Sequence, residues 1–156
     1  MTRSGTLVVV SGLPGSGKTT TASRRAAEER GIRLCPDEWL QALGANLWDG
    51  VLRAAVEQLQ WTLAKDLLEC GMTVVVEWGT WARSERERLR DDARALGARV
   101  ELVFLDPPAD ELWRRVSTRA MEDPPITEEY LQMARRQLER PGPSEAATYD
   151  QFAHVT

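Results

Sequence analysis

The chain has 156 residues and a formal net charge of −4, with Asp and Glu slightly outnumbering Lys and Arg. That length predicts one domain, residues 1–156, with a core of ordinary size, and the charge makes nucleic acid an unlikely partner and a membrane surface an unfavourable one. No apolar run reaches membrane-spanning length, and the single His154 excludes histidine triads and histidine-rich metal sites.

Thr6 to Val10 is a short, mostly β-branched run that predicts a strand buried on both faces. Gly12-Leu-Pro14-Gly15-Ser16-Gly17-Lys18-Thr19-Thr20 follows and fits G-x-x-x-x-G-K-[ST] without a mismatch. Thr19 to Arg30 contains no Gly or Pro and predicts a helix, with Gly31 in the C′ position that ends it. Ile32 to Cys35 predicts a second strand, and Pro36-Asp37-Glu38 starts a short helix. A loop at 44–50 leads to a helix over about 51–69, with Leu52, Val56, Leu59, Leu63 and Leu67 on its apolar stripe. Thr73 to Val76 predicts a third strand ending in Glu77-Trp78-Gly79. Ser84 and Glu87 read as the capping box of a helix that stops at Gly97. A fourth strand spans Val100 to Leu105, then Arg-rich helix covers Asp110 to Met121. Another helix runs from Thr127 to about Arg140, and Phe152 to Val155 can add an edge strand. Alternation of strand and helix predicts an α/β domain with a mainly parallel sheet of four to five strands.

The glycine loop dictates the chemistry. Glycines let successive N–H groups turn toward an anion, and the following helix adds the positive end of its dipole. Lys18 is placed to reach the β- and γ-phosphates of a nucleotide, and the Thr19 hydroxyl to ligate Mg²⁺. Twenty basic residues include only two lysines, Lys18 and Lys65, and one of them stands at the motif position. Ligands of such sheets bind beyond the carboxyl ends of the strands, which picks out the loop, Asp37, Glu77 and Asp106.

Asp37 suits a group that orients an acceptor hydroxyl and takes its proton; it suits a helix start equally. Glu77 is the candidate for Mg²⁺ or an acceptor hydroxyl, favoured over Asp106, which precedes two turn-forming prolines. Arg114, Arg115 and Arg119 share a helix before a Pro-rich break, as the arginines of a lid over about 110–130 do, although a solvated face is the alternative. Arg83, Arg86, Arg90 and Arg94, interleaved with acids, read as a solvated face. Trp39, Trp78 and Trp81 follow strand ends and can wall an acceptor pocket or simply pack, whereas Trp61 and Trp113 read as core.

Taken together, the phosphate loop, the Asp after the second strand, the strand-end acid followed by Ser84-x-Arg86-Glu87 and the Arg-rich helix resemble the small P-loop kinases. That group includes the kinase domain of phage polynucleotide kinase, chloramphenicol phosphotransferase and the zeta toxins. The resemblance implies a three-layer α/β/α sandwich with strand order 2-3-1-4-5, a helical lid, and ATP with Mg²⁺. By position it implies Asp37 as general base, Arg119 and Arg115 as arginines on the transferring phosphate, and an adenine site after Pro141. Two departures stand out: Pro36 replaces the Arg that precedes the catalytic Asp in polynucleotide kinases, and Glu77 replaces the more usual Asp.

The expected function is transfer of the γ-phosphate of Mg-ATP to a hydroxyl of a small molecule, antibiotic-like or nucleoside-like. A polynucleotide 5′-hydroxyl kinase, a zeta-like sugar-nucleotide kinase and a non-enzymatic ATP-binding switch are the competing readings. The absence of an N/T-K-x-D motif disfavours a GTPase. Cys35 and Cys70 form no C-x-x-C pair and no signal-peptide core precedes the first strand, so a cytoplasmic monomer or homodimer with reduced thiols is expected.

Overall fold

A computed structural model describes residues 3–119 and 121–156. Five strands, β1 (Thr6–Gly12), β2 (Ile32–Leu34), β3 (Thr73–Val76), β4 (Arg99–Leu105) and β5 (Gln151–Val155), form one sheet in the order β2-β3-β1-β4-β5, as the resemblance implied. Every pairing in it is parallel. The helices are α1 (Lys18–Glu29), α2 (Pro36–Ala42), α3 (Gly50–Glu69), α4 (Arg83–Ala95), α5 (Ala109–Arg119), α6 (Glu128–Gln137) and the short α7 (Pro143–Ala146). Among the described residues no helix is long and apolar enough to cross a membrane.

Alternation along β1 explains how the layers hold. Leu7 and Val9 join the core that receives Trp61, Ala64 and Leu68 of α3 and Leu89 and Ala93 of α4. Val8 and Val10 point the other way, into the core shared with Ala22 of α1. All four are at most 1% exposed, and each such side chain contributes about 1.5–3 kcal/mol through burial. Phe104 of β4 anchors a further cluster, with Leu112 and Val116 of α5 and Leu131 and Ala134 of α6.

Three expectations need correction. The buried side of α3 carries Val56, Gln60, Trp61, Ala64 and Leu68, while Leu59 and Leu63 are exposed. The true stripe is the 56-60-64-68 row, about one residue's rotation from the predicted one. Burying Trp61 and giving Gln60 to the Trp78 indole settles which face turns inward. The first turn of α4 is held by Glu85, which accepts from the Ala82 N–H, and Glu87 instead pairs with Arg83. At the end of α1 the left-handed residue is Arg30, and Gly31 serves close approach: a Cβ there would stand 2.7 Å from the Thr73 carbonyl oxygen.

The largest surprise is Arg86, expected on a solvated face and found fully buried. Its guanidinium makes a two-pronged ion pair with buried Glu145 of α7 at 2.7 and 2.8 Å. The remaining N–H groups donate to the carbonyls of Thr80, Trp81 and Glu139. Burial pushes the Glu145 carboxyl up, but the Arg86 hydrogen bond and charge prevail and hold it below the usual carboxylate range. Its stabilising contribution is therefore complete above the ordinary glutamate value of about 4.3 and is lost as the pH falls through the lower folded-state value. Glu145→Gln leaves a buried charge unpaired and should cost about 3–5 kcal/mol in urea unfolding at pH 7.

Candidate active site

The phosphate loop forms because β1 must hand the chain to α1 in five residues. Gly15 and Gly17 supply backbone at φ 81° and 96°, a region L side chains rarely adopt, and a Cβ on Gly15 would stand 2.8 Å from Val116 of α5. Pro14, Gly15, Gly17, Lys18, Thr19 and Thr20 line one end of a cleft of about 1020 Å³. Gly12 and Ser16 lie behind that lining, and the buried Ser16 hydroxyl has no hydrogen-bond partner among the described residues.

Lys18 folds over the loop, its Nζ donating to the carbonyls of Gly12 and Leu13, both at 3.0 Å. Burial pushes its ammonium down to about 8 against the pull of Glu77 and Asp37, with the Arg119 charge acting in the same direction as burial. A phosphate would supply the negative charge this ammonium lacks. Thr19 Oγ1 donates to Glu77 Oε1, and the other carboxylate oxygen accepts from Arg33 Nη1 at 2.7 Å. Glu77, only 6% exposed, thus joins the first turn of α1 to the strand beside it.

Asp37 lies in the first turn of α2, whose N-cap residue is Cys35, so it is not itself the cap. Its carboxylate accepts from Arg53 Nη2 of α3 at 2.6 Å. Cys35 also lines the cleft, but burial, then Glu77, raise its thiol to about 11, leaving it protonated and a poor nucleophile. Across the cleft, Arg115 donates to the Gly15 carbonyl at 3.2 Å and pairs with Glu111, while Arg119 pairs with Glu122 at 2.8 Å. Both line the cleft; Arg114 is exposed, pairs with Glu111 and does not.

The aromatic wall differs from expectation. Trp81 lines the cleft, and Trp78 reaches its floor while nearly buried, its indole N–H donating to Gln60 at 3.0 Å. Trp39 packs between two cores, and the cleft lining excludes it because its position on α2 faces inward from Asp37. Its place is taken by Trp48, whose Nε1 donates to the Pro124 carbonyl at 2.6 Å and whose ring meets Tyr130 edge-on. Neighbouring Asn46 donates to the Asp123 carbonyl at 2.8 Å, tying the 44–49 loop to the segment before α6. Asp106 is taken up by Arg140 and His154 outside the cleft. The lining ends at Gln137, so the segment after Pro141 lies outside it.

Several side chains at the site were missed. Arg33, the only charge in the three-residue β2, was conspicuous by that position. Nothing in the pattern of α3 marked Arg53 or Glu57. Thr80 is the oddest: a β-branched residue at φ 45°, fixed there by bonds from Ser11 and Arg86 to its carbonyl.

Oxygen donors are what Mg²⁺ requires, usually one or two from protein with the rest from phosphates and water. The adjacent Thr19 hydroxyl and Glu77 carboxylate fit that demand. Among the described residues no group of three or more His, Cys, Asp or Glu side chains makes a metal cage.

Solved structures with this architecture include a candidate kinase from Chloroflexus aurantiacus, 20% identical over 99% of this chain and 88% of that one, with a TM-score of 0.77. Kti12 of Chaetomium thermophilum, in complex with ADP-AlF3, is 20% identical over 96% and 88% of the two chains with a TM-score of 0.71. A gluconokinase from Sinorhizobium meliloti 1021 is 22% identical over 99% and 82%, with a TM-score of 0.64. At these identities the likeness establishes the P-loop kinase fold. No curated protein sequence matches significantly. The AAA domain family profile matches residues 7–141, most of the chain and every residue that lines the cleft, and the chain belongs to that family.

Proposed function

We propose that the protein transfers the γ-phosphate of ATP to a hydroxyl of a small molecule. One observation carries the reading: a carboxylate suited to a general base, Asp37, shares a cleft with the phosphate loop, Lys18 and two arginines of α5. A cleft of about 1020 Å³ exceeds what the phosphates alone occupy and leaves room for an acceptor. A nucleotide switch has no use for an acid at that place.

In this mechanism the loop amides and the α1 N-terminus bind the β- and γ-phosphates, and Lys18 exchanges its loop carbonyls for phosphate oxygens. Thr19 and Glu77 would hold Mg²⁺, which when bound neutralises charge on the phosphates. Asp37, steadied by Arg53, orients the acceptor hydroxyl and receives its proton. Arg115 and Arg119 face the charge that spreads over the transferring group, and the residues from Met121 to Tyr130 close over the reaction and exclude water. Carboxylates along the acceptor side weigh against a polyanionic nucleic-acid end.

The test is ADP release from Mg-ATP with pooled hydroxyl-bearing metabolites and antibiotics. Asp37→Asn should lower pool-stimulated turnover by about 10²–10⁴-fold, the usual worth of a general base, while nucleotide still binds in a fluorescence titration. Equal turnover in both proteins, with or without acceptors, overturns the reading in favour of a switch.

A further inference from the structure

The acceptor half of the cleft is bounded by Asp37 on one side and by α3 and α4 on the other. Its carboxylates are Asp37, Glu38, Glu57, Glu85 and Glu122, and its guanidinium groups are Arg53, Arg88 and, paired with Glu122, Arg119. Most of these are engaged. Arg53 gives Nη2 to Asp37 and to the Leu47 carbonyl, Glu38 pairs with Arg33, Glu122 with Arg119, and Glu85 caps Ala82. Arg88 is exposed. Glu57 is different: it is half-buried in the cleft and, among the described residues, has neither a hydrogen-bond nor an ion-pair partner. Burial pushes its carboxyl up, opposed by Arg53 and Arg88 and reinforced by Glu85 and Asp37. A half-buried carboxylate without a partner is unfavourable until something cationic or a hydroxyl donor meets it.

The wall adjoining these acids is aromatic. Trp48 and Tyr130 meet with centroids 5.0 Å apart at 88°, and Trp81 and Tyr130 at 6.4 Å and 58°. Ring faces carry negative quadrupole density and attract ammonium groups, while an excess of carboxylates repels anions from the same space.

We propose that the acceptor is an alcohol carrying a protonated amine, with its ammonium on Glu57, its body against Trp81 and Tyr130, and its hydroxyl at Asp37. This rests on the kinase reading above. The acceptor oxygen forms a bond to the γ-phosphorus as the bond from that phosphorus to the β–γ bridging oxygen breaks. The electron pair leaves with ADP, and the hydroxyl proton passes to the Asp37 carboxylate.

The experiment measures acceptor-dependent ADP release with a panel of amino sugars, aminocyclitols and aromatic amino alcohols, each beside its N-acetyl form and a carboxylate analogue. The expected result is a kcat/KM about 10- to 100-fold higher for the amine than for its N-acetyl form, carried mainly by KM. Glu57→Gln should collapse that ratio toward one, and Glu57→Asp should keep part of it. If N-acetylated or anionic alcohols serve as well as the amines, or the ratio survives Glu57→Gln, the amine assignment is overturned while acceptor-dependent turnover leaves the kinase reading intact. If no alcohol of any charge stimulates ADP release, both readings fall together.

Discussion

Glu77 is the interaction on which the rest of the site depends. It follows directly on β3, the strand between β1 and β2, and it is nearly buried, so each of its oxygens must be satisfied. Thr19 satisfies one from the first turn of α1, and Arg33 the other from β2. Arg33 continues the chain of charges to Glu38, beside Asp37, and Asp37 continues it to Arg53 on α3. Phosphate loop, strand end, acid and the α3 wall are thereby linked across five successive elements. The parallel register makes this possible, because Leu34 and Val9 both pair with Val76, setting the ends of β2 and β3 level beside β1 where it runs on into the phosphate loop. A charge taken from any member of the chain leaves its neighbour partly desolvated and unpaired, which costs more than an exposed pair contributes.

Arg86 does for the far wall what Glu77 does for the floor. One guanidinium, with Glu145 as its counter-charge, holds the carbonyls of Thr80 and Trp81 on the cleft wall and that of Glu139 beyond α6. The left-handed Thr80 is stable only because its carbonyl is held from two sides, by Ser11 of β1 and by Arg86. The site's geometry is therefore fixed by a buried ion pair that itself contacts no ligand space, a division between positioning and chemistry that keeps the cleft free for charge to be used.

The sheet was legible because β-branched runs between glycine-punctuated helices admit few other folds, and the phosphate loop because its pattern follows from the geometry of binding phosphate with backbone amides. What escaped were features that depend on partners distant in sequence. Arg86 sits in a sequence as charged as any solvated helix, and only the chain returning at Glu145, 59 residues on, makes it interior. Trp39 lies within α2 and Trp48 just before α3, and which one lines the cleft depends on how the 44–49 loop folds back to the Asp123-Pro124 carbonyls, information that no local pattern carries. Likewise the stripe of α3 was displaced because tertiary contacts choose its inward face: Trp61, Ala64 and Leu68 enter the core and Gln60 accepts from the Trp78 indole.

These elements add up to a phosphate-binding end, a basic pair of α5 arginines above it, and an acid-lined aromatic end, with Asp37 at the junction. On the proposed reading, such an arrangement carries a phosphoryl group from one end to the other. The most direct measurement follows the phosphorus itself: γ-labelled ATP incubated with the protein and a polar metabolite extract, with the products separated by charge. The account predicts label in an organic phosphate ester that does not form with Asp37→Asn. Label confined to ATP and inorganic phosphate, whatever extract is offered, would contradict it.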